Sequence, residues 1–134
     1  MQENLAIINS SGSICRCNVQ FARKEPWCII FECIGFDSQR FEGNDLFDCL
    51  VKLRRHLEKQ DCLILCNGSR IDVYPSGMSR QMSGGRVAYI MKIGEVTKSG
   101  DIVDIFEPAD KTLVSTVEQQ KEYHSRWVAS IMKM

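Results

Sequence analysis

Histidine and proline are scarce in this chain, with two and three copies in 134 residues, and net charge is absent because seventeen Lys and Arg offset seventeen Asp and Glu. Each shortage excludes something. Three prolines beside 44% hydrophobic residues rule out a disordered or proline-rich linker composition. A zero balance argues against direct nucleic-acid binding, which draws on a basic excess to neutralise phosphates. No apolar run approaches the roughly 18 residues of a membrane span. The opening MQENLAIINSSGS lacks the basic start and apolar stretch of a secretory signal. A cytoplasmic location without membrane contact is therefore expected. With only His56 and His124 to titrate near neutrality, few nucleophile–base pairs can be written.

Size and cysteine content bound the rest. A mass of 15.3 kDa suits one domain over residues 1–134. Its folded surface should be roughly 7,000 Å², against about 22,000 Å² unfolded. The seven cysteines, Cys15, Cys17, Cys28, Cys33, Cys49, Cys62 and Cys66, cannot all pair with one another. Reduced thiols acting as small apolar fillers are expected. Zinc is disfavoured: if residues 62–66 are a strand, Cys62 and Cys66 lie roughly 13 Å apart, too far for one ion. No metal or other cofactor is expected.

The apolar pattern places the elements. Residues 4–9 and 14–21 alternate as strands, with a turn at Ser10–Ser13. Trp27–Ile34 is denser in apolar residues and pairs with the preceding strand as a hairpin. From about 45 to 59 the period changes: Leu46, Leu50, Leu53 and Leu57 form one helical stripe, with Asn44 as the expected cap. Arg54, Arg55 and His56 suit the negative end of that helix. Cys62–Cys66 has the density of an interior strand, and in Arg70–Tyr74 the alternation puts Ile71 and Val73 on one face. Residues 75–86 show no apolar period. Val87–Ile93 returns to strand, with Val87, Tyr89, Met91 and Ile93 on one face, and Ile102–Phe106 is a further short strand or a helical turn. Tyr123, Trp127 and Ile131 define a last helix, opened by a capping box at Ser115 with Glu118 or, equally, at Thr116 with Gln119. Its first turn, poor in apolar anchors, should be partly exposed. The fold class is α+β: a mixed, mostly antiparallel sheet of five or six strands with one helix packed on a face and a C-terminal helix.

Candidate chemistry is thin. Cys49 and His56 are two helical turns apart, about 10 Å, beyond hydrogen-bond reach. Met82-Ser83-Gly84-Gly85-Arg86 lacks the phosphate-loop spacing and leads into a strand, so it reads as a connection or a partner-contacting loop. Arg70, Arg80 and Arg86 suit bidentate carboxylate pairing, either across an interface or within the domain. Glu95, Asp101, Asp104, Glu107 and Asp110 face only Lys98 and Lys111 along their stretch of sequence. Such a segment is either a solvated face or a patch for a basic partner.

One further pattern carries a resemblance. Tyr74-Pro75-Ser76-Gly77-Met78-Ser79-Arg80-Gln81-Met82, then Gly84-Gly85, Ala88-Tyr89, Asp101–Phe106 and Thr116–Gln120 with Trp127 together resemble a small bacterial family. That family comprises immunity proteins encoded beside polymorphic toxins of the Rhs or contact-dependent growth inhibition type. The similarity spans roughly residues 60–131, with a weaker echo in Ile30-Phe31-Glu32 and the first helix. It implies a cytoplasmic protein that binds one cognate toxin domain, a nuclease among the candidates, and occludes its active or substrate site. No catalytic residue is carried over. Under this resemblance Glu95, Asp101, Asp104, Glu107 and Asp110 would meet a basic toxin cleft, with Ser76, Arg80 and Arg86 at the rim. A structural or adaptor protein without a toxin partner is the alternative, and a small enzyme a lesser one.

Overall fold

Alternating side chains in the first third of the chain build a sheet whose inner face is apolar. The structure, a computed structural model, describes residues 1–132. Strands β1 (Gln2–Asn9), β2 (Ile14–Phe21), β3 (Cys28–Glu32) and β4 (Gln39–Glu42) form a consecutive antiparallel meander. Helix α1 (Leu46–Glu58) crosses the inner face, and β5 (Cys62–Ile64) returns beside β1, giving the order β4-β3-β2-β1-β5. Leu5, Ile7, Val19, Ile29 and Phe31 from the sheet meet Phe47, Leu50, Leu53 and Leu57 from α1 in one core. The α+β class and the first hairpin are as the sequence indicates.

The second half of the chain makes a separate three-stranded antiparallel sheet, β6 (Val73–Tyr74), β7 (Val87–Ile90) and β8 (Ile102–Asp104), in that order. Helix α2 (Gly77–Met82) lies between β6 and β7, and α3 (Val117–Met132) closes the chain. Several expectations fail here for physical reasons. Cys62–Cys66 is an edge, not an interior, element. Its apolar density is covered by α1 and by residues 105–115, which run beside 65–71 through the Cys66–Pro108 and Arg70–Val114 bridges. Ile71 does not share the burial of Val73, since pairing begins only at Val73. In β7 the buried residue is Ala88, while Val87 and Tyr89 are half-buried. Residues 77–82 are helical despite lacking a stripe, because Ser76 Oγ accepts from the Ser79 amide at 3.0 Å and starts the turn.

Helix α1 is capped one residue later than expected: Asp45, not Asn44, accepts from the Asp48 amide at 2.7 Å. The Gly84-Gly85 pair has its reason at the same helix end. Both glycines have positive φ (63° and 77°), and a Cβ on Gly84 would stand 2.4 Å from the Trp27 ring. This approach lets the Gly84 carbonyl accept from the Leu46 amide at 2.6 Å, filling a donor that the helix leaves open.

The first turn of α3 is partly exposed, at Glu118 and Gln119, while its other side is buried. Of the two capping frames, Thr116 with Gln119 is formed, at 3.2 and 3.0 Å. Val117 and Gln120 are each 1% exposed. Gln120 Nε2 donates to the carbonyls of Gly68, Arg70 and Val73, and its Oε1 accepts from Arg54 at 2.6 Å. Arg54, 2% exposed, also donates to the Gly68 and Ser115 carbonyls at 3.2 and 2.9 Å. Its Nε has no partner, and no carboxylate lies within ion-pair distance among the described residues. Burial pushes the guanidinium down from its ordinary pKa. Thus α1, the Asn67–Ser69 turn and α3 are joined through one polar knot.

Replacing Gln120 with Leu removes a donor that three carbonyls share and an acceptor from a buried cation. Urea denaturation should show a loss of about 2–4 kcal/mol. Arg55→Ala, which breaks only an exposed 3.5 Å pair with Glu118, should stay within about 0.5 kcal/mol of the parent.

Candidate functional site

The residues singled out from sequence separate into two groups once their partners are known. Arg80 reaches from α2 to Asp45 at 2.9 Å, and that carboxylate is nearly buried. The same guanidinium lies over the Phe47 and Tyr74 rings, 5.1 and 5.9 Å from their centroids. Arg86 pairs with Asp104 at 2.9 Å and covers the Phe21 ring at 4.9 Å. Phe21 in turn stacks on Phe106 at 4.1 Å. Arg70 pairs with Asp72 through two bonds of 2.9 Å. All three arginines therefore satisfy carboxylates within the chain. Ser76 is the α2 cap.

The acidic segment divides as well. Asp104 is held by Arg86 and accepts from the Phe106 amide. Asp101 accepts from the Lys98 amide at 2.9 Å and lies 3.8 Å from Lys92. Glu95, Glu107 and Asp110 remain exposed, and among the described residues no cation stands within ion-pair distance of them. Asp110 accepts from the Thr112 amide and hydroxyl, and those bonds hold its carboxyl below the usual range. Nothing in the contacts joins Glu95 to Glu107 or Asp110, so the five carboxylates are not one cluster.

What these residues share is an irregular segment fastened at many points. Tyr123 Oη donates to the Met91 carbonyl at 2.8 Å, Trp127 Nε1 to the Glu95 carbonyl at 2.9 Å, and the Gly94 amide to Ser130 Oγ at 2.8 Å. Farther on, the amides of Asn67, Gly68 and Ile71 donate to the carbonyls of Glu107, Ile105 and Leu113. The backbone is thus fixed while side chains point outward: Ile93 (44% exposed), Val96 (55%) and Ile102 (46%) accompany Glu95, Glu107 and Asp110. The exposed apolar residues went unnoticed in sequence because an Ile or Val in a strand-like pattern reads as core. Their isolation beside glycines, lysines and carboxylates was the available signal.

A hollow of about 250 Å³ is lined by Phe47, Tyr74, Lys52, Arg55, Arg80 and Lys121. Its cations are largely offset in place, Arg80 by Asp45, Lys52 by Asp48 and Arg55 by Glu118. Neither histidine is oriented by a carboxylate or paired with a thiol among the described residues. His56 sits near Phe41 and Gln60 Nε2, and His124 stacks on Tyr74 at 4.0 Å with Trp127 beyond it. Burial pushes the Cys17 and Cys49 thiols up to about 12, where a nucleophilic thiolate is rare at neutral pH. Among the described residues no group of His, Cys, Asp and Glu is placed to hold a metal ion, and no helix is long and apolar enough to cross a membrane.

Comparison with protein-family models and with curated proteins gives no match for this chain.

Burial, and then the nearby Arg80 cation, hold the His124 pKa below 6.5, so the fold favours the neutral ring. A depressed histidine pKa stabilises the fold fully above the unfolded value and progressively less as pH falls below it. The denaturant midpoint should be level from about pH 8 to 7 and fall between about pH 6.5 and 5. His124→Phe should flatten that fall, whereas an unchanged profile would assign it to another group.

Proposed function

We propose that this chain is a stoichiometric protein inhibitor: an immunity protein that binds a cognate toxin domain and occludes its active or substrate site. The observation that carries this reading is the 91–114 segment, where a backbone tied down by α3 and by residues 67–71 presents Ile93, Val96 and Ile102 together with unpaired carboxylates. A surface ordered before binding loses little conformational entropy on association. Apolar side chains supply the desolvated contact area, and carboxylates steer a basic partner and reject wrong ones. A toxin cleft shaped for nucleic acid or nucleotide has that basic character. The residues that carry the resemblance fit a supporting role: Ser76, Arg80 and Gly84 build the α2 turn and its seat on α1, and Asp104, outside the loop, is held by Arg86 where β8 meets β7. Specificity would then lie in Glu95, Glu107 and Asp110, outside that frame.

Co-expression with the C-terminal domain of the product of the gene immediately upstream tests this, the proposal requiring that domain to be toxic alone. The expected outcome is survival of the producing cell and a 1:1 complex on size-exclusion chromatography. Glu95→Lys, Glu107→Lys and Asp110→Lys combined should weaken the complex at least about a hundredfold, and rising salt should weaken the parent complex. Retained affinity in the triple variant would remove the carboxylates from the interface. A toxin that stays active beside excess of this chain would overturn the inhibitor reading.

A further inference from the structure

Two thiols stand apart from the other five. Cys15 Sγ and Cys33 Sγ are 3.7 Å apart, and no other pair of thiols is in contact among the described residues. Cys15 is exposed and Cys33, like Cys28, half-buried, whereas Cys17, Cys49, Cys62 and Cys66 are buried. The placement follows from strand register. Asn18 faces Glu32 across the β2–β3 pair, so one more step sets Cys33 opposite Cys17, with Cys15 diagonally along the same face. The alternation that buries Cys17 and Val19 runs past the end of the core at Cys15. The two sulfurs therefore meet at the rim of the sheet, reachable from solvent and carried by strands already paired. To bond, the two sulfurs must close from 3.7 Å to about 2.05 Å.

We propose that Cys15 and Cys33 form a site of reversible oxidative modification, closing to a disulfide when the chain meets an oxidised low-molecular-weight thiol such as glutathione disulfide. Cys15 acts first. Its thiolate attacks one sulfur of the oxidant, forming a mixed disulfide, and the glutathione thiolate that leaves takes up the proton Cys15 gave to solvent. Cys33 then attacks the Cys15 sulfur, and the second glutathione departs with the proton from Cys33. Two electrons pass from the cysteine pair to the oxidant, and glutathione in excess reverses both steps. The order follows from exposure. Burial, and then the adjacent Cys15 sulfur, push the Cys33 thiol up to about 11, which suits it to the second, intramolecular step where proximity compensates for a scarce thiolate. The bond spans 18 positions and would tie the start of β2 to the segment following β3. In a reducing compartment it would be transient.

The full chain, folded and reduced, is incubated with glutathione disulfide and its intact mass and thiol-alkylation pattern are followed. The expected result is loss of two hydrogens, a Cys15–Cys33 linked peptide on non-reducing digestion, and a Tm raised by about 5–10 °C that dithiothreitol restores. Cys33→Ser should stop at the mixed disulfide on Cys15, and Cys15→Ser should gain neither adduct nor crosslink, both variants keeping the parent's circular dichroism. The site is disproved if all seven thiols are still free when alkylated after unfolding, or if the crosslink maps to another cysteine or persists in either variant. None of these readouts involves a toxin, so they stand or fall separately from the inhibitor reading.

Discussion

The fold depends on a buried cation with no anion within ion-pair distance among the described residues. Arg54 leaves the C-terminal half of α1, enters the interior and spends its donors on carbonyls of Gly68 and Ser115 and on the Gln120 side chain. Carbonyl dipoles stabilise a guanidinium without the geometric demands of a second buried charge, but each must be held in place by its own backbone. Gln120 supplies that order by donating to three carbonyls across residues 68–73. Removing any member exposes the rest to the full cost of unpaired burial.

That knot reaches the proposed binding surface through α3. Its first turn is fixed by Gln120 and by the Val117 amide donating to Glu58. The same helix carries Tyr123, Trp127 and Ser130, which hold residues 91–95 through polar contacts. The second small sheet and the 105–115 connection are pinned to the Asn67–Ser69 turn beneath. An irregular segment of this length owes its order to such contacts, since it has little ladder bonding of its own. The arginines divide accordingly: Arg54, Arg70, Arg80 and Arg86 serve the interior and its seams.

Strong periodicity made parts of this legible in sequence. The leucine stripe of α1 and the β2–β3 hairpin follow from spacing alone, and so does the Thr116/Gln119 cap among its alternatives. What escaped was decided by tertiary partners. Arg54, beside Arg55 and His56, looks like a solvated cation at a helix end, and nothing local marks it as the buried one. Strand β4 has Phe41 as its single apolar residue and exists because β3 offers an open edge. Helix α2 rests on one serine cap and on the Arg80–Asp45 pair. Two sheets replaced one because Gly84 and Gly85 turn the chain back onto the start of α1. Of the candidate site residues, the pattern of charge alone could not tell Asp101 and Asp104, which are engaged, from Glu95, Glu107 and Asp110, which are not.

Native-state hydrogen exchange in the free protein addresses the central claim, that the polar knot holds the outer segment in place before any partner arrives. The amides of Asn67, Gly68, Ile71 and Ser115 all donate across the seam between residues 65–71 and 105–115. If the account holds, these amides exchange only through openings nearly as costly as global unfolding, and the Gly94 amide on Ser130 is protected well above random-coil rates. Exchange at the rates of an open loop across this seam, in a protein whose α1 and β1–β3 amides stay protected, would contradict it.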